Sequence, residues 1–245
     1  MTDTPDPDAD RCAYSRTALA RLALSTKQRE LADRALAGVP TTHDVWARPG
    51  EMVGTALGLV HHAQEVPAQA VVYERQKHTN REVIGERLDV KRLSAHERYK
   101  ETVAEWQLAL QEPYYPAPPG APARGLRLQE AAYAPTTAGR RRDAWVREHM
   151  PYHRETDHPV TGHLPVLSTA EEMVQVLGAL NHLYGDMCTP PDPLVRTRLT
   201  ERTAALLDCI AAEEGRAEAA QQAEEVRALA VLLRAEARES GEGTS

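Results

Sequence analysis

The chain has 245 residues, a formal net charge of −7, no phenylalanine, and aromatic residues at only 4% of the total. It is long enough for one large domain or two modest ones, and Ala, Leu, Val and Ile must build most of the core, which favours helices. Three distant cysteines, an acidic N-terminus and short apolar runs exclude a disulfide scaffold, a signal peptide and a membrane span, so we expect a cytoplasmic protein with no membrane partner.

The N-terminal part predicts a disordered leader followed by a long helix. Residues 1–12 are acidic and poor in apolar side chains, so we expect them to be disordered. From Ser15 to Val39, leucines recur near helical spacing and predict a helix. Within it, Ser25 and Gln28 have the spacing of a capping box.

Two further helices are predicted before residue 80. One runs from Glu51 to Gln64 and the next from Ala68 to Lys77. Pro67 is placed to open the second one, because proline is tolerated in the first turn of a helix. A polar break follows, in which Asn80 is a suitable N-cap for another helix.

The stretch REVIGERLDVKRLSAHERYKE, from Arg81 to Glu101, carries the pattern of a helix-turn-helix. Such a motif needs a small residue where its two helices cross, and Gly85 stands at that position. The apolar contacts between the helices would come from Ile84, Leu88, Val90 and Ala95. The chain is therefore predicted to turn at Asp89 and to begin a second helix.

Charge around this motif is opposite in sign to that of the rest of the chain. From Arg75 to Lys100 there are eight basic and four acidic side chains, a local charge of +4, which leaves −11 for the remainder. A basic patch on an otherwise acidic protein is typical of a surface that contacts nucleic acid.

The run IGERLDVKRLSAHERY resembles the helix-turn-helix of actinobacterial DNA-binding proteins and is similar to region 4 of sigma factors, over about 30 of the 245 residues. The resemblance implies that Lys91 to Lys100 form the recognition helix. The side chains that would face the DNA groove are Arg92, Leu93, His96 and Glu97. Phosphate contacts would come from Arg87, Lys91, Arg92, Arg98 and Lys100.

Four positions depart from that pattern. Asp89 stands where the turn usually has glycine, at a cost of about 1 kcal/mol for a left-handed backbone. Lys91 replaces the usual Ser or Thr cap and cannot accept an amide hydrogen bond. Leu93 replaces a polar base-reading residue and can contact only a thymine methyl group. Arg98 occupies a place that is often apolar, so Tyr99 must supply that packing, and we expect phosphate contacts to dominate over base readout.

A continuous helix is the alternative structure for this stretch. From Arg81 to Leu110 there is no proline and only one glycine, so these residues can also form one helix with an apolar face for the core or for a partner. The chain would then be a helical interaction or scaffold protein that does not bind DNA.

Composition predicts a domain boundary after this stretch. Five prolines fall within the ten residues that begin at Pro113, and this density excludes a helix or a central strand. We therefore predict a helical domain at 13–111, a Pro-rich linker at 112–137 and a C-terminal helical domain at 138–245.

Two clusters in the second half have the residue types of a binding site. Arg140–Arg141–Arg142 can contact phosphate or an acidic partner, although exposed arginine runs are usually solvated. The second cluster consists of His149, His153, His158 and His163. Their number would suit zinc, but Pro151 interrupts the helical face that would align the first two, so we expect loop histidines and no metal or cofactor.

Two stronger helical regions complete the chain. Ser168 and Glu171 form a capping box ahead of a helix that ends near Gly185. The last region opens after residue 193 and carries apolar residues at helical spacing, with Gly215 as its weakest point. It suits either an intramolecular hairpin or a coiled coil that forms a homodimer.

These observations together predict an all-α protein with a helix-turn-helix. The leading hypothesis is a protein that binds double-stranded DNA, such as a transcriptional regulator. The alternative is a scaffold for protein–protein interaction. The usual nucleophile, phosphate-loop and dinucleotide signatures are not found in the sequence, so we expect no enzymatic activity.

Overall fold

The computed structural model describes residues 7–42, 48–115, 126–185 and 193–242. Over these residues the chain is all-α, which confirms the predicted fold class. The helices are α1 (Pro7–Asp10), α2 (Arg16–Ala37), α3 (Glu51–Gln76), α4 (Arg81–Arg87), α5 (Arg92–Gln111), α6 (Glu130–Tyr133), α7 (Pro135–His149), α8 (Thr169–Gly185), α9 (Pro193–Glu214) and α10 (Ala217–Glu242). None of the helices in this part of the chain combines the length and apolar character that a bilayer span requires.

The helices divide between two compact units. The first comprises Met1–Ser15, Tyr133–Thr137 and Pro165–Ser245, and the second comprises Arg16–Ala132 and Ala138–Leu164. This division differs from the predicted one, because residues 138–164 group with the N-terminal helices. One contact that joins them is a hydrogen bond of 2.8 Å from the Trp145 indole Nε1 on α7 to the Asp33 carboxylate on α2. A local sequence pattern does not reveal a contact over that separation.

The predicted Pro-rich linker, residues 112–137, belongs in part to each unit. Its residues 116–125 fall outside the described part, residues 112–115 and 126–132 belong to the second unit, and residues 133–137 belong to the first. The Pro113 carbonyl accepts hydrogen bonds from the backbone amides of Arg127 (2.7 Å) and Leu128 (3.2 Å). The two sides of the proline-rich stretch are therefore held together inside one unit.

The core of the second unit begins with α2, which packs against α3. The buried residues of α2 are Ala18, Leu19, Ala20, Leu22 and Ala23. Burying a leucine side chain as completely as Leu22 contributes roughly 1.5–3 kcal/mol. The predicted capping box in this helix is wrong, because Ser25 lies inside α2 and its hydroxyl donates to the Leu22 carbonyl (3.1 Å).

A single helix, α3, replaces the two helices predicted on either side of Pro67. An interior proline removes a helical hydrogen bond and costs about 3 kcal/mol. Burial of Val71 and Val72 on the following turn offsets that cost. Tertiary packing therefore overrides the local preference of proline for a helix start.

The prediction of a disordered leader is wrong over residues 7–12, which belong to the first unit. Pro7–Asp10 form α1, a 3-10 turn follows at Arg11–Ala13, and Cys12 is buried against Val176 and Leu199. The Asp10 carboxylate accepts hydrogen bonds from the Thr136 amide (2.9 Å) and hydroxyl (2.5 Å). These distant partners order a segment whose own composition would not fold. Residues 1–6 lie outside the described part.

The predicted capping box at the start of α8 is confirmed. The Ser168 amide donates to the Glu171 carboxylate (2.9 Å), and the Glu171 amide donates to the Ser168 hydroxyl oxygen (3.3 Å). The backbone and hydroxyl hydrogen bonds from Ser168 lower the pKa of Glu171. Both amide groups at this helix end are thus satisfied locally, as the sequence spacing requires.

Helices α9 and α10 form the intramolecular hairpin that was one of the two predicted arrangements. Gly215 lies between them with a left-handed φ of 66°, at the predicted weak point. Ion pairs join the two helices: Arg196 with Glu236 (2.6 Å), Arg227 with Asp208 (2.5 Å), and Arg234 with Glu201. Exposed pairs of this kind each contribute at most about 1 kcal/mol, so they align the helices more than they stabilise them.

Candidate nucleic-acid interface

The chain turns between α4 and α5, at the predicted position. Asp89 has a left-handed φ of 55°, its amide donates to the Glu86 carbonyl (3.2 Å), and the Val90 amide donates to the Gly85 carbonyl (3.0 Å). This pair of hydrogen bonds is a Schellman motif, which ends a helix and redirects the chain. The alternative of one continuous helix from Arg81 to Leu110 is therefore wrong.

Asn80 caps α4, as predicted, and its removal should be measurable. Its side-chain oxygen accepts the Glu82 amide at 3.0 Å. We expect Asn80→Ala to lower the free energy of unfolding by about 1 kcal/mol. Asn80→Ser should lower it much less, because serine also caps a helix. The two described tryptophans, Trp106 and Trp145, fall within the second unit, so tryptophan fluorescence in urea reports its unfolding. Equal stability of the alanine variant and the wild type would contradict a stabilising cap.

One apolar cluster holds α4 and α5 against the end of α3. Its buried members are Val71, Ile84 and Tyr99, each with 7% of its surface exposed. Leu88 and Val103 pack around them, and Gly85 and Ala95 are buried nearby. Tyr99 thus supplies the packing that the sequence assigned to it, and the cluster fixes how α5 is presented.

Most of the predicted DNA-contact side chains lie on the surface of α4 and α5. The exposed ones are Arg87, Lys91, Leu93, Glu97, Arg98 and Lys100. Leu93 is the most exposed of the large apolar residues on α5, at 70%. His96 is less accessible, because it is half-buried, and the side chain of Arg92 lies outside the described part. Helix α5 continues to Gln111, well beyond the predicted end of the recognition helix at Lys100.

One of these cations is neutralised by a neighbour. Lys100 Nζ lies 2.6 Å from Glu97 Oε2, and this hydrogen bond lowers the pKa of Glu97 and raises that of Lys100. Within the described residues, Arg87, Lys91 and Arg98 form no ion pair. These three side chains therefore add positive charge that no carboxylate offsets.

The amino end of α5 adds a partial positive charge to the same surface. Lys91 is the N-cap residue, and its side chain makes no hydrogen bond to the first-turn amides. The first turn also contains no acidic residue. Unsatisfied amides at a helix start favour an anion such as phosphate, so the missing cap suits an anionic partner.

Two arginines near this surface have no role in the helix-turn-helix pattern. Arg75 lies in the last turn of α3, and Arg81 is the first residue of α4. Together with His96 and Lys100 they surround a cavity. Their only sequence signal was the basic run that begins at Arg75, because the motif assigns a function to neither position.

The basic triplet divides between surface and interior. Arg140 and Arg141 are exposed, and Arg141 lies 3.6 Å from Glu130. Arg142 is only 4% exposed, and burial lowers its pKa to about 10. The expectation of a wholly solvated triplet is wrong at Arg142, since helical spacing turns it inward with Gly139.

The four histidines of the second half do not converge. His149 stacks on Trp145 with ring centroids 4.4 Å apart, and His158 lies 3.5 Å from the Asp143 carboxylate. Across the described ranges, no three His, Cys, Asp or Glu side chains are grouped so that they could hold a metal ion. Each of these two histidines instead packs against a neighbour on α7.

Comparison with known proteins adds no further constraint on this site. A scan against protein-family models, a search of curated proteins and a search of solved structures each found no match to the chain.

Proposed function

We propose that the protein binds double-stranded DNA in the cytoplasm, as a transcriptional regulator would, through the start of α5 and the end of α4. The observation that carries this proposal is the reversal of the chain at Asp89. It separates a short helix from a second helix whose first turns point cationic side chains to solvent. That arrangement is what a helix-turn-helix requires in order to enter a DNA groove.

Phosphate contacts dominate the proposed interface. Arg87, Lys91 and Arg98 are exposed and free of ion pairs within the described residues, and the uncapped amides of α5 lie beside Lys91. Neutralising phosphates releases counterions, which gives affinity without sequence preference. Leu93 is 70% exposed but can contact only a thymine methyl group, so base discrimination is weak.

A salt titration with duplex DNA of random sequence tests this proposal. We expect binding whose logarithmic affinity falls steeply with the logarithm of salt concentration. The double variant Lys91→Ala/Arg98→Ala should lose two phosphate contacts, which reduces the slope by about 1.8 and weakens binding about 10-fold at fixed salt. The readout is fluorescence anisotropy of labelled DNA over a series of salt concentrations.

The matched control removes two exposed arginines that lie away from the interface, in Arg34→Ala/Arg147→Ala. Both are in the second unit, so the control makes the same change in net charge. Its slope should equal that of the wild type. Equal slopes for both double variants would contradict the proposed interface, and no binding at low salt would contradict DNA binding altogether.

The second candidate function is protein–protein interaction. It is favoured by an apolar surface at the start of α3, where Met52, Val53, Leu57 and Val60 are 41–65% exposed. On α10, Leu229, Val231 and Leu232 remain exposed beside the hairpin with α9, which suits the homodimer that the sequence left open. Sedimentation at twice the chain mass of 27.1 kDa, lost in Leu229→Glu/Leu232→Glu, would support that dimer.

A further inference from the structure

A cavity of about 240 Å³ opens between α3, α4 and α5. Its floor is apolar and is formed by Val71, Ile84, Tyr99 and Val103. The first three belong to the buried cluster that holds these helices together. A molecule in this cavity would therefore touch the side chains that fix the position of α5.

The rim of the cavity is cationic. The cations Arg75, Arg81 and Lys100 line it together with the imidazole of His96, and none of the described lining residues is acidic. Arg75 donates to the Thr79 carbonyl (2.8 Å), and Lys100 is paired with Glu97. Arg81 is exposed and forms no ion pair within the described part of the chain, so it is the cation best able to receive an anion.

We propose that this cavity binds a small aromatic monocarboxylate, with the ring on the apolar floor and the carboxylate at Arg81. Guanidinium and carboxylate groups form short, charge-assisted hydrogen bonds. An apolar cavity of about 150 Å³ holds a benzene ring, so the larger volume here leaves room for one ring and its carboxylate.

Other classes of ligand fit less well. The volume lies below the roughly 300–1,000 Å³ of sites for drug-sized ligands, so it suits a smaller molecule than a nucleotide. Inorganic phosphate would leave the apolar floor uncovered, and a neutral ring would give Arg81 no anionic partner. The combination of floor and rim therefore selects a molecule that is apolar at one end and anionic at the other.

Binding at this site would also affect the proposed interface. His96 and Lys100 belong both to the cavity rim and to the predicted DNA-contact residues. A carboxylate at the rim reduces the positive charge available to phosphate, so an occupied cavity weakens DNA binding. This consequence rests on the proposed function, whereas the ligand site itself does not.

Calorimetric titration of the full chain with benzoate, phenylacetate and cyclohexanecarboxylate tests the site without DNA. We expect one of the two aromatic acids to bind with a stoichiometry of one per chain, and cyclohexanecarboxylate to bind more weakly. Benzamide and inorganic phosphate should bind at least about 10-fold more weakly than that acid, because each lacks one of the two features. No binding by either aromatic acid at millimolar concentration, or equal binding of phosphate, would overturn the proposal.

Two variants and a control locate the site. Arg81→Gln should weaken binding about 10-fold or more by removing a charge-assisted hydrogen bond. Ala104→Leu should abolish binding, because Ala104 lines the cavity from an exposed position on α5 where a larger side chain fills it without disturbing the core. Arg34→Gln, an exposed change elsewhere in the unit, should bind like the wild type. Undiminished binding in Ala104→Leu would also overturn the proposal.

The experiments separate the two proposals. The calorimetric titration contains no DNA, so its failure overturns the ligand site alone. The salt titration contains no carboxylate ligand, so its failure overturns DNA binding alone. Where both succeed, the bound acid should weaken DNA binding by the wild type and not by Ala104→Leu.

Discussion

Replacing Tyr99 with alanine is expected to lower the free energy of unfolding of the second unit by roughly 3–4 kcal/mol. Tyr99 is 7% exposed and lies between Val71 on α3 and Ile84 on α4. Its removal leaves a cavity where three helices meet, and that cost exceeds what any surface change on α5 can produce. Urea unfolding followed by tryptophan fluorescence measures the difference.

Two comparisons isolate the ring as the cause. Tyr99→Phe keeps the ring and should lie within about 1 kcal/mol of the wild type. Leu93→Ala, on the same helix but 70% exposed, should change stability by less than about 0.5 kcal/mol. If Tyr99→Ala were no less stable than Leu93→Ala, the cluster would not hold α5 in place.

Replacing Asp143 with alanine is the second large change, with an expected loss of roughly 2–4 kcal/mol. Asp143 is 3% exposed and accepts hydrogen bonds from the Val160 amide (2.8 Å), the Thr161 amide (3.1 Å) and the Thr161 hydroxyl (2.5 Å). These bonds fasten the segment after α7 to the helix itself. Without the carboxylate, three donors lose their partner, and the same fluorescence assay in urea records the loss.

The Asp143 carboxylate also predicts a dependence of stability on pH. Burial alone would raise its pKa, but the hydrogen bonds from Thr161 and Val160 outweigh that effect and hold the pKa below its usual range. A lowered folded-state pKa stabilises the protein above about pH 4, and that stability is lost as pH falls through the lowered value. Asp143→Asn should therefore lose most stability near neutral pH and differ least from the wild type in acid. Parallel curves of unfolding free energy against pH would contradict this role.

Local sequence signals predicted the elements that depend on near neighbours. The caps at Asn80 and Ser168 and the turn at Asp89 each involve hydrogen bonds within six residues, and all three are present. Pro67 shows the limit of such signals, since its local preference yields to the burial of Val71 and Val72.

Features that depend on distant partners were not predictable from local patterns. Cys12 packs against residues of α8 and α9, and the Trp145 indole donates a hydrogen bond to Asp33 on α2. For the candidate site, the exposed residues of α5 followed from the motif. The positions of Arg75 and Arg81 beside the cavity could not be predicted, because the sequence does not show which helices pack together. In the sequence alone, each arginine has only the signal of a solvated charge.

The left-handed backbone at Asp89 limits how this protein can diverge. Glycine adopts positive φ freely and Asn or Asp adopt it at modest cost, whereas β-branched residues almost never do. His78, with a φ of 59° between α3 and α4, imposes a similar restriction. A β-branched substitution at either position is expected to retain the helices but to change the mutual orientation of α3, α4 and α5. The proposed interface depends on that orientation, so it would be lost before the helical fold.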